Sequence, residues 1–145
     1  MIARSLLKKD YDHIVQVIDR WSGGPTAVLV HPVFFHELGE LARVAERDGS
    51  VIGFLLGFAV NGERRVGYVH LVGIHPEFRR RGVGRTLLES FEQDCRSRQC
   101  DRLKSVATPG NDTVISFLHS LGWTSTLEEH YAGPGRSRVV FSKSL

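Results

Sequence analysis

A chain of 145 residues, 41% hydrophobic and 24% charged, has the size and composition of one globular domain with its own core. It has no apolar run of about 18 residues, which excludes a membrane-spanning helix, and its apolar N-terminal stretch is too short for a secretory signal, so the expected location is the cytoplasm. The net charge is a mild +3, the seven histidines are scattered without ligand spacing, and Cys95 and Cys100 are spaced for neither a disulfide nor a zinc pair, so no metal is expected.

In chain order, residues 3 to 7 predict a short strand. Asp10 reads as a helix N-cap, followed by Ile14, Val17, Ile18 and Trp21 at amphipathic helical spacing until Gly23-Gly24-Pro25 stops the helix. Pro32 fits the first turn of a second helix carrying Phe34, Leu38 and Leu41 on its apolar side. Phe34 and Phe35 add more aromatic surface than a short helix needs, which makes them, with Trp21, candidates for the wall of a substrate pocket. Residues 43 to 47, Asp48-Gly49 and residues 51 to 60 predict a hairpin, because Asp-Gly is a favoured two-residue turn. Asn61-Gly62 leads into a third strand from Val66, ended by Pro76. On strict alternation Val66, Tyr68, His70, Val72 and Ile74 share one face of it, with His75 opposite.

The next residues, Arg79, Arg80, Arg81, Gly82, Val83, Gly84 and Arg85, form a basic glycine turn before a helix that carries Leu87, Leu88, Phe91 and Cys95 at helical spacing. The first N–H groups of a helix lack internal partners, and together with the helix dipole they favour an anion. Glycine lets that anion approach the backbone closely. The turn lacks the Lys-Ser/Thr of a P-loop and the third glycine of a dinucleotide fingerprint, since position 87 is Leu. A strand over 103 to 107, a helix through Val114, Ile115, Leu118 and Leu121 to Gly122, and a final hairpin of residues 127 to 131 and 138 to 141 complete the chain. The predicted order is β-α-α-β-β-β-α-β-α-β-β, an α/β fold whose strand–helix–strand unit from residue 66 should cross over right-handed between parallel strands.

Arg79-x-x-Gly82-x-Gly84, after a strand ending Val72-Gly73-Ile74-His75-Pro76, resembles the acetyl-CoA signature of the GNAT acetyltransferase superfamily, Gln/Arg-x-x-Gly-x-Gly/Ala. Asn111, Val114-Ile115 and Leu121-Gly122-Trp123 resemble a second superfamily segment, and the element order extends the resemblance over nearly the whole chain. Trp21-Ser22-Gly23-Gly24 and the stretch from Tyr131 to Gly135 are similar to a bacterial subgroup of unassigned acceptors. The resemblance implies a mixed sheet of six to seven strands with about four helices. It also implies transfer of an acetyl group from acetyl-CoA to the amine of a small molecule or peptide. The backbone of Val72, Gly73 and Ile74 should bind the pantetheine arm, the turn from Arg80 to Arg85 should hold the pyrophosphate, Arg79 should start the motif, and Asn111 should contact the arm or orient the thiol. The resemblance also allows a homodimer.

Two departures from the family matter. The position of its usual Tyr acid is Leu118, with His119 about 100° round the helix, and the position of a frequent Glu base is Val106. His70 is the replacement base this sequence offers, similar to a His on the matching strand of arylalkylamine N-acetyltransferases, and Tyr131 is a second proton carrier. The missing pair motivates a competing reading, a sensor that binds acetyl-CoA without turnover. A nucleic-acid-binding role for the arginine turn ranks last, because few aromatic residues are interleaved with it.

Overall fold

The computed structural model describes residues 1–145 and contains seven strands and four helices in the expected order. These are β1 (Ile2–Ser5), α1 (Lys8–Ser22), α2 (Val33–His36), β2 (Arg43–Arg47), β3 (Ser50–Asn61), β4 (Arg65–Ile74), α3 (Val83–Ser97), β5 (Arg102–Ala107), α4 (Asp112–Ser120), β6 (Thr124–Glu128) and β7 (Arg138–Ser144). They build one mixed sheet in the order β1-β2-β3-β4-β5-β7-β6, in which β4 and β5 are the parallel pair.

Local chemistry accounts for most boundaries. The β2–β3 turn puts Asp48 at φ 51° and Gly49 at φ 80°, the left-handed pair that a two-residue hairpin requires. Helix α1 starts earlier than its sequence suggests. Its N-cap is Leu7, and Asp10 sits inside the first turn, where its carboxylate accepts the Leu7 N–H at 2.8 Å and pairs with Arg4. Helix α2 is a single turn after Pro32, and the predicted continuation through Leu41 is a separate 3₁₀ turn, Gly39–Leu41. In the last hairpin β7 runs on to Ser144, and β6 keeps the predicted length but lies three residues earlier, so Tyr131 falls in the loop between them.

Helices cover the two faces of the sheet unequally. On one face α3 and α4 bring Leu87, Leu88, Phe91, Cys95 and Leu118 against Leu55, Val69, Leu103 and Phe141. Cys95 and Cys100 are free thiols buried in this layer, and burial beside Cys100 pushes the Cys95 thiol up to about 12, which leaves it protonated and inert. On the other face Ile14, Val17, Ile18 and Trp21 of α1 pack on Val44, Phe54 and Leu56, each contributing roughly 1.5–3 kcal/mol by burial. That second layer reaches no further across the sheet than Leu71 of β4. The same face of β5 therefore has no helix over it.

Candidate active site

The sheet opens where the parallel pair ends. Strand β4 pairs with β5 from Val66 to Val69, opposite Arg102 to Ser105. At this last rung the Ser105 hydroxyl donates to the Val69 carbonyl at 2.9 Å, which satisfies both buried groups as the ladder stops. From Leu71 to Ile74, β4 keeps β3 on one side and has no strand on the other. An unpaired strand edge presents backbone donors and acceptors to a ligand.

On the α3 face the turn before the helix is built for an anion. Gly82 is the N-cap at φ 80°, a left-handed conformation that suits glycine, and the space a Cβ would enter is open. The N–H groups of Gly82, Val83, Gly84 and Arg85 donate no hydrogen bond within the chain. Arg80, Arg81 and Arg85 surround them on the surface. The Val83 side chain is buried in the core, so its backbone faces the turn. A pyrophosphate fits this array of donors and positive charge.

The opposite face carries a different surface. Residues Leu56 and Leu71 pair across β3 and β4, then Gly57 pairs with Val69, so His70 is the extra residue of a β-bulge. The bulge reverses the alternation. Val72 and Ile74 pack with Val69 against the α3 layer, whereas Leu71 packs with the α1 layer. His70 therefore does not share a face with Val72 and Ile74, as strict alternation predicts; its ring lies on the α1 side. There it stacks on Phe34 with centroids 3.8 Å apart and planes 11° from parallel, and its Nε2 lies 2.8 Å from the Leu29 carbonyl. A carbonyl only accepts, so Nε2 carries the proton and Nδ1 keeps its lone pair. Burial lowers the His70 pKa below the ordinary 6.5, with the Leu29 carbonyl opposing, so the ring is neutral at pH 7. Beyond His70 the aromatic wall continues through Phe58, 6.3 Å from Phe34, to Tyr68, 5.4 Å from Phe58. A cavity of about 190 Å³ follows, lined by Phe58, Val60, Arg64, Val66, Tyr68, Lys104, Val106 and Tyr131.

Residues 6–123 match the Acetyltransferase (GNAT) family. The chain belongs to the GNAT acetyltransferase family. Solved structures share its fold over almost the whole chain. Ard1 from Thermoplasma volcanium is 21% identical with a TM-score of 0.81, covering 99% of this chain and 97% of that one. The ribosomal-protein-S18-alanine N-acetyltransferase from Escherichia coli is 19% identical with a TM-score of 0.78, covering 99% and 92%. An aminoglycoside 6'-N-acetyltransferase complexed with coenzyme A is 15% identical with a TM-score of 0.75, covering 99% and 97%. GNAT proteins use acetyl-CoA, and the acceptors named for these relatives range from a ribosomal protein to a small aminoglycoside.

Within this GNAT fold the residues expected to form the site divide into three groups. Val72, Gly73 and Ile74 lie on the open edge, and Arg80 to Arg85 form the anion turn. Phe34 and His70 stack on the opposite face, and Tyr131 lines the cavity there. The rest have structural duties. Trp21 is not a pocket wall; it is a core residue, 4% exposed, against Phe54 and His75. Phe35 stacks on Tyr11 at 5.5 Å, on the α1 side of Phe34. Arg79 turns back from the basic glycine turn and donates to the Trp21 carbonyl, tying the turn to the end of α1. Asn111 is exposed and caps α4, accepting the Val114 N–H at 3.4 Å. Gly84 also has a packing reason, since a Cβ there would come within 2.9 Å of the Phe117 ring. His119 is held by Ser125 at 2.8 Å and packs beside Phe141. Sequence reasoning missed Phe58, Arg64, Tyr68 and Lys104 as site residues. The register Tyr68↔Lys104 could have paired the last two, but only once β4 and β5 were known to be parallel neighbours at that offset.

Proposed function

We propose that the protein moves the acetyl group of acetyl-CoA to a primary amine of a small molecule or peptide, by direct attack in a ternary complex. The observation that carries this reading is the opening past Val69 and Ser105. It has free helix N–H groups on one face of the sheet, and on the other the stacked rings of Phe34, His70, Phe58 and Tyr68 lead from it toward the cavity beside the paired rungs. Acetyl-CoA, when bound, supplies an acyl group activated as a thioester. The N–H groups of Gly82 to Arg85, with Arg80 and Arg81, would hold its pyrophosphate. The open edge from Val72 to Ile74 would hold the arm and offer a donor to the carbonyl oxygen.

The amine must be neutral to attack. His70 is neutral and has Nδ1 free, so it can take the proton directly or through a water. Tyr68 complements it. Burial raises its pKa above the ordinary 10.0, with neighbouring Tyr131 adding to the shift, so its phenol stays protonated at neutral pH and can supply a proton. Leu118 is buried and Val106 is apolar, so the usual Tyr and Glu positions contribute no proton carrier. Those two residues favour the sensor reading.

Acetyl-CoA is incubated with a library of primary amines, and products are read by mass spectrometry alongside free thiol release. The expected result is one acetyl group added per thiol released on at least one amine. Coenzyme binding with no acetylated amine would make the protein a sensor.

A further inference from the structure

Resting on the acetyltransferase reading, we propose that the acceptor is an amine that also carries a carboxylate, and that Lys104 and Arg64 hold that carboxylate. The cavity beside Phe58, Tyr68 and Tyr131 is apolar and aromatic along its walls, yet two cations enter its lining and no carboxylate does. Neither Lys104 nor Arg64 lies within ion-pair distance of any Asp or Glu. The lysine on the adjacent strand shows the contrast. Lys143 of β7, on the α3 face, meets Glu92 at 2.7 Å. Lys104 is half-buried with a free ammonium, and Arg64 stands at the cavity's outer end in the β3–β4 turn.

Position then sets the size of the acceptor. Lys104 is level with Tyr68 across the parallel pair. His70, where the amine would lose its proton, is two residues further along the strand, a rise of about 7 Å. An amine and a carboxylate separated by about that span, with an aromatic or apolar body between them, would fill the cavity. A carboxylate placed between half-buried Lys104 and exposed Arg64 gains charge-assisted hydrogen bonds that a neutral analogue cannot make. A polycationic amine would be repelled. The carboxylate can belong to a small amino acid or to a short peptide's acidic side chain or C-terminus, and the chemistry of recognition is the same.

The test uses matched pairs on the full chain. The small-molecule arm compares 4-(aminomethyl)benzoate with benzylamine, and the peptide arm compares Ala-Phe-Glu with Ala-Phe-Gln, both C-terminally amidated. The wild-type protein should prefer the carboxylate member of a pair by about tenfold or more in kcat/KM, the size of a charged hydrogen bond. Lys104→Met with Arg64→Gln should bring that ratio close to one, with acetyl-CoA affinity by calorimetry reporting an intact fold. The arm that responds identifies the source of the carboxylate. Equal use of both members by the wild-type protein, or a ratio that survives both substitutions, overturns the proposal. Binding of 4-(aminomethyl)benzoate to the CoA complex, followed by tyrosine and tryptophan fluorescence, separates the two levels of inference. If it binds in a Lys104-dependent way and no amine is acetylated, the anion site stands and the acetyl-transfer reading fails. If amines are acetylated without regard to Lys104, the acetyl-transfer reading stands and the anion site fails.

Discussion

The two faces of the sheet meet at one opening and are built by different means. On the α3 side the proposed coenzyme surface is mostly backbone: the N–H groups of Gly82 to Arg85 and the unpaired edge of β4, drawn from one continuous stretch of chain. On the α1 side the proposed acceptor surface is side chain. Phe34, Phe58, His70, Lys104 and Tyr131 come from a one-turn helix, three strands and a loop. A backbone site demands particular φ values and few side chains, so it constrains the sequence locally. A side-chain site tolerates many solutions, which is how one fold serves many acceptors.

That contrast can be tested first at Gly82. A β-branched residue there meets a left-handed φ and places methyl groups where the anion would lie. Gly82→Val should weaken acetyl-CoA by roughly 10³-fold, two charge-assisted hydrogen bonds at about 2 kcal/mol each. Unchanged affinity by calorimetry would mean that the turn does not hold the coenzyme.

The acceptor side is tested at His70. His70→Ala should lower kcat by roughly 10²-fold while leaving acetyl-CoA affinity near wild type. Because burial lowers the folded-state pKa, the acidic limb of kcat should lie below the ordinary histidine value of 6.5. The same shift has a sign for stability. Unfolded chains bind the His70 proton first as pH falls, so its contribution is complete above about 6.5 and is lost as pH drops through the lower folded-state value. A wild-type kcat and pH profile in the variant would make His70 a strut for the segment around Leu29.

Gly73 lies in the open stretch of β4 opposite Phe54 of β3, and a Cβ on it would overlap the buried Phe54 ring. Gly73→Ala should cost about 1–3 kcal/mol by overpacking, read as a lower midpoint in urea, and Phe54→Leu should recover part of the loss. The smallest expected effect is at Arg79. Arg79→Met breaks the tie to the Trp21 carbonyl and should cost about 1 kcal/mol of stability, with less than a tenfold change in coenzyme affinity. A change as large as that of Gly82→Val would place Arg79 on the phosphate.

The same contrast explains what could be read in the sequence. The element order, the Asp48-Gly49 hairpin and the basic glycine turn were legible because each is local: a period, a turn pair, a spacing. The faces of β4 were not. One extra residue at His70 reverses the alternation, and nothing in Val66 to Ile74 marks where β3 skips it. Trp21 reads as a pocket wall in company with Phe34 and Phe35, yet its helical spacing with Ile14, Val17 and Ile18 takes it into the core. Lys104 looks like a solvated surface lysine until the register sets it beside Tyr68.

In the proposed reaction, coenzyme and acceptor reach one opening from opposite faces of the sheet. A conjugate linking the CoA sulfur through a carbonylmethylene group to benzylamine tests it most directly, because it occupies both faces only if they are joined there. Tethering raises the effective concentration of the second group, so the conjugate should bind roughly 10²-fold tighter than CoA. Phe58→Ala should erase that advantage while CoA itself binds as before, and Gly82→Val should weaken both ligands. A conjugate that binds no tighter than CoA, or whose advantage survives Phe58→Ala, would contradict the account.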